Sequence, residues 1–415
     1  MGAPVSLSDL LGDEGRRNPY KFYARLHELG EAVPLGPGDR YAAIVCGYEA
    51  VNRVLCDPGF RVPDARQMDR TGTRWRAHPV VRTLMTGFPN TNGEDHARLR
   101  RLFSPPVTVR RVAALEPAVI ARTDHWLDRL AELGADARPV DFMAAFAVPL
   151  PVDVIGGLLG VPEPDRAWFP AQVAAFDAVL ELGRQHSLRL VRAANAAAAE
   201  LTAYFAELAA SRRADPREDL VSDLVRLDGP DQLAEPELLA SLIVMFNAGF
   251  RTTANMFGNG LALLFEHPEA MAALRADAAL APAFIEEILR YEPPLHFAVR
   301  FAAEDSEIAG VPVAAGQLVL VLMAAANRDP RRFRDPDVFD PGRTDNHHLT
   351  FTAGPHYCLG AALGRLEGRL ALPRLLGRFP ALSLAADPGE RRQLMLRGYD
   401  HLPVRVSDRA TVSIA

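Results

Sequence analysis

Phe351-Thr-Ala-Gly354-Pro-His356-Tyr-Cys358-Leu-Gly360 is the stretch that decides how this 415-residue chain is read. It runs directly into an amphipathic segment, 359–378, that reads as a helix. A thiol at a helix N-terminus faces unpaired backbone N–H groups and the positive end of the helix dipole, and both favour thiolate. Gly354 and Gly360 permit a tight loop that brings backbone close to the sulfur. An isolated cysteine in such a turn is as a rule simply buried. The residues around this one point to a ligand instead.

The other cysteines, Cys46 and Cys56, make three in all, which cannot form a complete disulfide framework and fits a reducing cytoplasm. Hydrophobic residues at 49% and charged residues at 24% are ordinary globular values and argue against disorder. A net charge of −6 gives no global field for nucleic acid or an anionic membrane. Of 46 basic residues only Lys21 is lysine, which reads as the codon bias of a GC-rich bacterial genome. The opening Met-Gly-Ala-Pro-Val-Ser lacks the basic-then-apolar pattern of a secretory leader. Leu238 to Phe265 comes nearest to a membrane span, but Asn247, Arg251, Asn255 and Asn259 interrupt it. The chain has no phosphate-binding Gly-Lys-Ser/Thr loop, no His-Glu-x-x-His and no Cys-x-x-Cys.

Periodicity gives a mainly α chain with a smaller β-rich part. Helical portions fall at about 94–290 and 359–378, with apolar spacing clearest over Leu115–Leu133, Pro164–Leu182 and Arg192–Arg212. A helix of about 30 residues spans Glu237–Glu266, far beyond the usual 11–12. β-rich portions fall at about 30–60, 295–325 and 381–406, and Ile308–Val313 with Gln317–Leu322 reads as a hairpin. Residues 61–95 read as a long loop region. With no repeat, linker or composition break, 1–415 is expected to be one domain.

The cysteine stretch resembles the loop of the cytochrome P-450 haem-thiolate family, Phe-x-x-Gly-x-His-x-Cys-x-Gly, matched at Phe351, Gly354, His356, Cys358 and Gly360. Five fixed residues match by chance with a probability on the order of 10⁻⁴. The resemblance extends from Asn18-Pro-Tyr20 to Leu402-Pro-Val, and the bacterial soluble, polyketide- and macrolide-tailoring branch is the most similar. It implies the family's triangular-prism fold, with thiolate-ligated haem b between the long central helix and the cysteine-loop helix. Cys358 inherits the role of iron ligand, and an anionic sulfur donates electron density to the metal. Phe351 and Gly360 complete the cofactor loop. His96 and Arg100 at i,i+4, Arg300 after Pro293-Pro294, and His356 match the family's haem-propionate donors. Glu287 and Arg290 look like its Glu-x-x-Arg, with Arg343 of Phe339-Asp-Pro-Gly-Arg343 completing a structural cluster.

On the long helix, Ala248, Gly249, Thr252 and Thr253 match the family's central Ala-Gly-x-acid-Thr-Thr. Small residues at 248 and 249 leave room for oxygen and substrate, and Thr252 is expected to serve dioxygen or a proton-delivering water. The acid is replaced by Arg251, which is effectively always charged and cannot relay protons by titrating. Three readings follow: Arg251 joins a polar network along the Asn247–Asn259 stripe, or binds a substrate carboxylate or carbonyl, or accompanies an altered outcome such as radical coupling.

The resemblance places substrate contacts at Leu84, Met85, Phe88, Asn90, Val179, Phe246, Leu295, His296, Phe297 and Met395. Such a lining suits a medium or large apolar molecule. The expected function is a monooxygenase that hydroxylates or epoxidises a specialised metabolite such as a polyketide or macrolide. No flavin or nicotinamide site is visible, so electrons are expected from outside, and the resemblance implies a ferredoxin or flavodoxin with its NAD(P)H reductase. Arg98, Arg101, Arg110, Arg111 and Arg365 form a candidate docking face. A monomer without nucleic-acid or membrane partners is expected. The alternatives are a peroxide-driven or radical-coupling enzyme that uses Arg251 as a carboxylate anchor, and a non-catalytic helper, against which the retained Cys358 weighs.

Overall fold

A 32-residue helix, Glu235–Glu266, is the spine of the molecule, about 48 Å long at the usual rise. Pro236 sits in its first turn, and Pro268 opens the next helix directly after the C-cap His267, so the spine cannot continue. It is apolar around most of its circumference because neighbours cover it on every side. Helices Pro79–Thr86, Pro149–Leu159, Leu188–Ala214 and Ala361–Arg378 all pack on it. Two clusters of buried side chains flank it, one reaching the Ala361–Arg378 helix and the other Phe169, Phe205 and Phe246. The computed structural model describes residues 6–36, 38–182, 187–391 and 393–406. The reading of the first residues as lacking a leader falls on 1–5, outside the described residues. Among the described residues no helix is long and apolar enough to cross a membrane.

Ten short strands stand in three sheets among the described residues. They are Ala32–Pro34 (β1), Tyr41–Val45 (β2), Phe60–Arg61 (β3), Val140–Asp141 (β4), Ala298–Ala302 (β5), Ser306–Ile308 (β6), Val311–Val313 (β7), Leu318–Val321 (β8), Ser383–Leu384 (β9) and Pro403–Arg405 (β10). The main sheet has the order β1-β2-β8-β5-β3, with β2 and β8 parallel and the other pairs antiparallel. The mainly α class with a smaller β part holds.

Two expectations need correction. The hairpin read across 308–322 is not formed. β6 pairs with β7 instead, turning at Ala309-Gly310, where both φ angles are positive (47° and 84°), and β8 leaves to join the main sheet. The stretch 61–95 is not one long loop. It holds β3, the helix Ala65–Arg70 and the helix Pro79–Thr86, each too short to show a period. Around 164–182, a 3₁₀ turn over Glu163–Trp168 precedes an α-helix that stops at Asp177. Residues 183–186 lie outside the described residues.

Candidate active site

The loop before the Ala361–Arg378 helix is pinned by its own backbone. The Cys358 N–H donates to the Phe351 carbonyl at 2.8 Å, and Thr352 Oγ1 donates to the His356 carbonyl at 2.6 Å. Gly354 has φ of 65°, and a Cβ there would stand 2.7 Å from the Leu55 carbonyl oxygen and 2.8 Å from Cys56 Cα. Only glycine fits, so the loop lies tight against the helix Tyr48–Cys56. Burial pushes the Cys358 thiol up, while the Gly360 N–H and the Arg100 and Arg365 cations pull it back. The helix terminus thus favours thiolate as expected, but desolvation opposes it. Coordination of a metal cation removes that opposition.

Cys358 lies on the wall of a cavity of about 350 Å³. The spine helix contributes Val244, Met245, Ala248, Gly249, Thr252, Thr253 and Met256, and β5 contributes Ala298 and Arg300, two residues apart on one face. His96, Arg100, Arg300 and His356 also line it, and among the described residues the single carboxyl in the lining is Glu367. Arg300 is 4% exposed, and its guanidinium makes one hydrogen bond, to the Val299 carbonyl. Burial lowers it to about 10. His356 is held down to about 3 by burial and by the positive side of its neighbours His96, Arg300 and Arg100. Arg100 has no side-chain partner among the described residues. Two arginines, Arg300 buried and Arg100 half-buried, that face no ionised partner are costly to hold unless a ligand supplies the negative charge. One sulfur ligand and a cluster of unspent donors fit a flat metal-bearing cofactor with carboxylate arms. His96 is the weakest member, since its ring nitrogens stand 3.2 and 3.1 Å from the Phe88 and Pro355 carbonyls.

Thr252 Oγ1 and Thr253 Oγ1 donate back to the carbonyls of Ala248 and Gly249, at 2.9 and 3.3 Å. Gly249 does not simply leave open space as expected. A Cβ there would meet Ile155 Cγ1 at 2.6 Å, so its smallness admits Ile155, itself part of the lining. Arg251 lies outside the lining. Its Nε is 3.4 Å from Asp177 Oδ2, and its Nη2 is 3.5 Å from Gln393 Oε1. Asn247 Nδ2 donates to Asp177 Oδ1 at 2.6 Å. These contacts are the ones the polar-network reading calls for, and they turn Arg251 toward Asp177 and Gln393.

Behind the loop, Glu287 and Arg290 are fully buried and joined by two hydrogen bonds of 2.7 and 2.8 Å. Arg343 Nε stands 3.6 Å from Glu287 Oε2, and Asn346 and the Asp340 N–H also donate to that carboxylate.

Of the ten residues expected at the substrate, Phe88 and Leu295 line the cavity and the others do not. Phe246 stacks on Phe169 at 4.0 Å inside the core. His296 is buried with Nδ1 3.0 Å from the Tyr23 hydroxyl. Phe297 and Met395 pack with the cluster beside the main sheet, and Leu84 and Val179 with the aromatic cluster. Asn90 is turned to the Pro63 carbonyl, and Met85 is half-buried away from the cavity. Apolar side chains that a sequence offers for a pocket are in most cases core. On the proposed docking face, Arg98 pairs with Glu237 and Arg101 with Asp231, whereas Arg110 and Arg111 are exposed.

Two acids escaped the sequence reading. Glu367 is 1% exposed, with Oε2 unpartnered, and burial pushes it well above the ordinary carboxylate range. Its signal was an acid among Leu363, Leu366 and Ala371 on an apolar helix face. Asp177, at the end of its helix, is raised by burial to about 6 against the pull of Arg251 and Asn247.

Comparison with known proteins gives the same answer from three directions. A family description, "Cytochrome P450", matches residues 169–396. The chain is 37% identical to the 6-deoxyerythronolide B hydroxylase of Saccharopolyspora erythraea, over 97% of this chain and 99% of that protein. It is 39% identical to the cytochrome P450 monooxygenase PikC of Streptomyces venezuelae, over 97% and 94%. Among solved structures, P450BioI in complex with an acyl carrier protein bearing hexadec-9Z-enoic acid superposes with a TM-score of 0.87. That match is at 34% identity and covers 95% of this chain and 99% of that one.

Proposed function

Since the chain belongs to the cytochrome P450 family of haem-thiolate monooxygenases, we propose that it hydroxylates or epoxidises a medium or large apolar metabolite of the polyketide or macrolide kind. The observation that carries this reading is the cavity. Its walls are largely apolar, and its polar groups are Arg100, Arg300, His96, His356 and Glu367, with Thr252 and Thr253 on the spine helix and Thr350, Thr352 and Tyr357 near the cysteine loop. The names of the similar hydroxylase and of PikC support it.

Cys358 would hold haem iron through its sulfur, and Arg300, Arg100 and His356 would take the carboxylate arms. Bound there, the haem supplies a redox metal at which dioxygen is activated with electron push from the thiolate. The protein's part is placement and proton handling. Ile155, Val244, Met245 and Leu295 exclude water and bury the substrate's apolar surface. Thr252 can turn its hydroxyl from the Ala248 carbonyl into the cavity and hold a proton donor there. Glu367, whose carboxyl burial pushes well above the ordinary range, sits on the wall that Thr253 and Gly364 share, where a carboxyl can hold a proton. The arginine that replaces the usual acid therefore leaves a titratable carboxyl still present. Electrons are proposed to arrive from a ferredoxin or flavodoxin system, and unbridged Cys46, Cys56 and Cys358 suit the cytoplasm.

The test is to titrate a panel of macrolactones and linear polyketides against the purified enzyme, reading the haem spin-state change and then product mass. Macrolactones that shift the spin state and gain one oxygen atom support the proposal. A panel without any shift, beside small polar substrates that turn over, overturns it.

A further inference from the structure

Two walls of the cavity are tied together by side chains that do not themselves line it. On one side is the spine helix, whose Val244, Met245 and Ala248 face the cavity. Asn247 and Arg251 lie on its adjacent face and hold Asp177, the last residue of the helix Phe169–Asp177. One turn further on, the Glu181 carboxylate accepts the N–H groups of Leu394 and Met395 at 2.8 and 3.2 Å and pairs with Arg16 at 2.7 Å. Gln393, in the same stretch 393–397 (the strap), accepts from Arg251 through its Oε1. The strap in turn holds the opposite wall. Arg397 N–H donates to the Pro294 carbonyl at 2.8 Å, and Leu295 pairs with Leu396 as an isolated bridge. Pro294 and Leu295 line the cavity.

The weak point of this chain of contacts is the Asp177–Arg251 pair. Asp177 Oδ2 and Arg251 Nε are both buried without a partner in hydrogen-bond geometry. The Asp177 side chain is 5% exposed, yet its ion pair is 3.4 Å long. A buried carboxylate so incompletely compensated is costly to hold. Arg251, 23% exposed, can turn to water when the pair parts. Beside the Asn247–Asp177 hydrogen bond this pair is the under-satisfied contact of the junction, and local opening costs least where contacts are incompletely compensated.

We propose that Asp177 and Arg251 form a clasp that holds these two walls together and sets the rate at which substrate passes in and out of the cavity. They are positioning residues, acting on access and not on the chemical step. The inference rests on the haem-site reading only in taking this cavity as the place where substrate is held.

The test uses the haem-loaded enzyme and three variants: Asp177→Asn, Arg251→Met and the two combined. Two probes are compared by stopped flow, the bulky iron ligand clotrimazole and carbon monoxide on the reduced protein. Amide hydrogen exchange over residues 173–182 is read alongside. Each single variant should raise the association and dissociation rate constants for clotrimazole about five- to tenfold. The double variant should add nothing to the larger single effect, as for a coupled pair. Carbon monoxide rates should stay unchanged, and exchange over 173–182 should quicken. Unchanged clotrimazole rates, or additive single effects, would overturn the clasp. If the reduced protein shows no thiolate-type carbon monoxide band, the haem-site reading fails instead, and the exchange data alone then decide the clasp.

Discussion

Arg300 is a cation in a place where a cation is expensive. It is buried, its guanidinium makes one backbone hydrogen bond among the described residues, and it shares the cavity with Arg100. Its removal should therefore act with opposite signs on the two forms of the protein. Arg300→Leu should stabilise the haem-free chain by roughly 1 kcal/mol and speed haem loss roughly tenfold, read by urea unfolding and by haem transfer to apomyoglobin. A loss of stability in both forms would mean that Arg300 serves the fold alone. Glu287 is the reverse case, since it compensates Arg290 and Arg343 together. Glu287→Ala should cost about 3–5 kcal/mol in urea unfolding. At this scale the sequence was legible where chemistry is packed into short spacing, as at Cys358, His356 and the Glu287/Arg290 pair. Arg251 could be seen as out of place, but not to whom it turns, because Asp177 and Gln393 are distant in sequence and only packing brings them near.

Elements were legible in proportion to their length. The spine helix and the helix after Cys358 carry enough turns for their period to stand out, and both lie within a few residues of where periodicity put them. The hairpin misreading came from treating Ala314-Ala-Gly316 as the turn, when Ala309-Gly310 closes a shorter one. Two predictions belong here. Gly354→Ala drives a Cβ into the Tyr48–Cys56 helix backbone at a left-handed φ. It should cost roughly 2–4 kcal/mol and loosen the cysteine loop, checked by thermal unfolding and by broadening of the haem spectrum. The second concerns pH. The charged group facing Asp177 is Arg251, with Asn247 and Gln393 as polar neighbours. Its carboxyl stands at about 6 in the fold against an ordinary 3.8. The proton-bound folded form is therefore favoured in full below about pH 4, and that contribution is lost as pH rises through 6. Relative to Asp177→Asn, the wild type should lose up to about 3 kcal/mol between about pH 4 and pH 7. Parallel stability curves for the two proteins would contradict this.

At the scale of the whole molecule, a second groove shares Arg100, Val107, Tyr357, Cys358 and Leu359 with the cavity. The groove, about 600 Å³, is lined by Arg100, Arg365, Arg369 and the helix Val109–Ala114, with Cys358 and Leu359 at its floor. An electron donor seated there stands closest to the sulfur. Arg110→Glu with Arg111→Glu should raise the KM for a reduced ferredoxin several-fold at low salt, with the difference fading as salt rises. Turnover with hydrogen peroxide, which needs no donor, should be unchanged. The sequence offered Arg98, Arg101, Arg110, Arg111 and Arg365 as a docking face, but not that Arg98, Arg101 and Arg365 are paired with Glu237, Asp231 and Glu286.

All of this depends on a sulfur–iron bond at Cys358. The most direct measurement is the carbon monoxide difference spectrum of the reduced, haem-supplied protein beside that of Cys358→Ser. The native chain should show the long-wavelength Soret band of a thiolate-ligated haem, and the serine variant should lack it. Identical spectra from the two proteins would place the iron elsewhere or nowhere, and the oxygen chemistry would have no seat in this cavity.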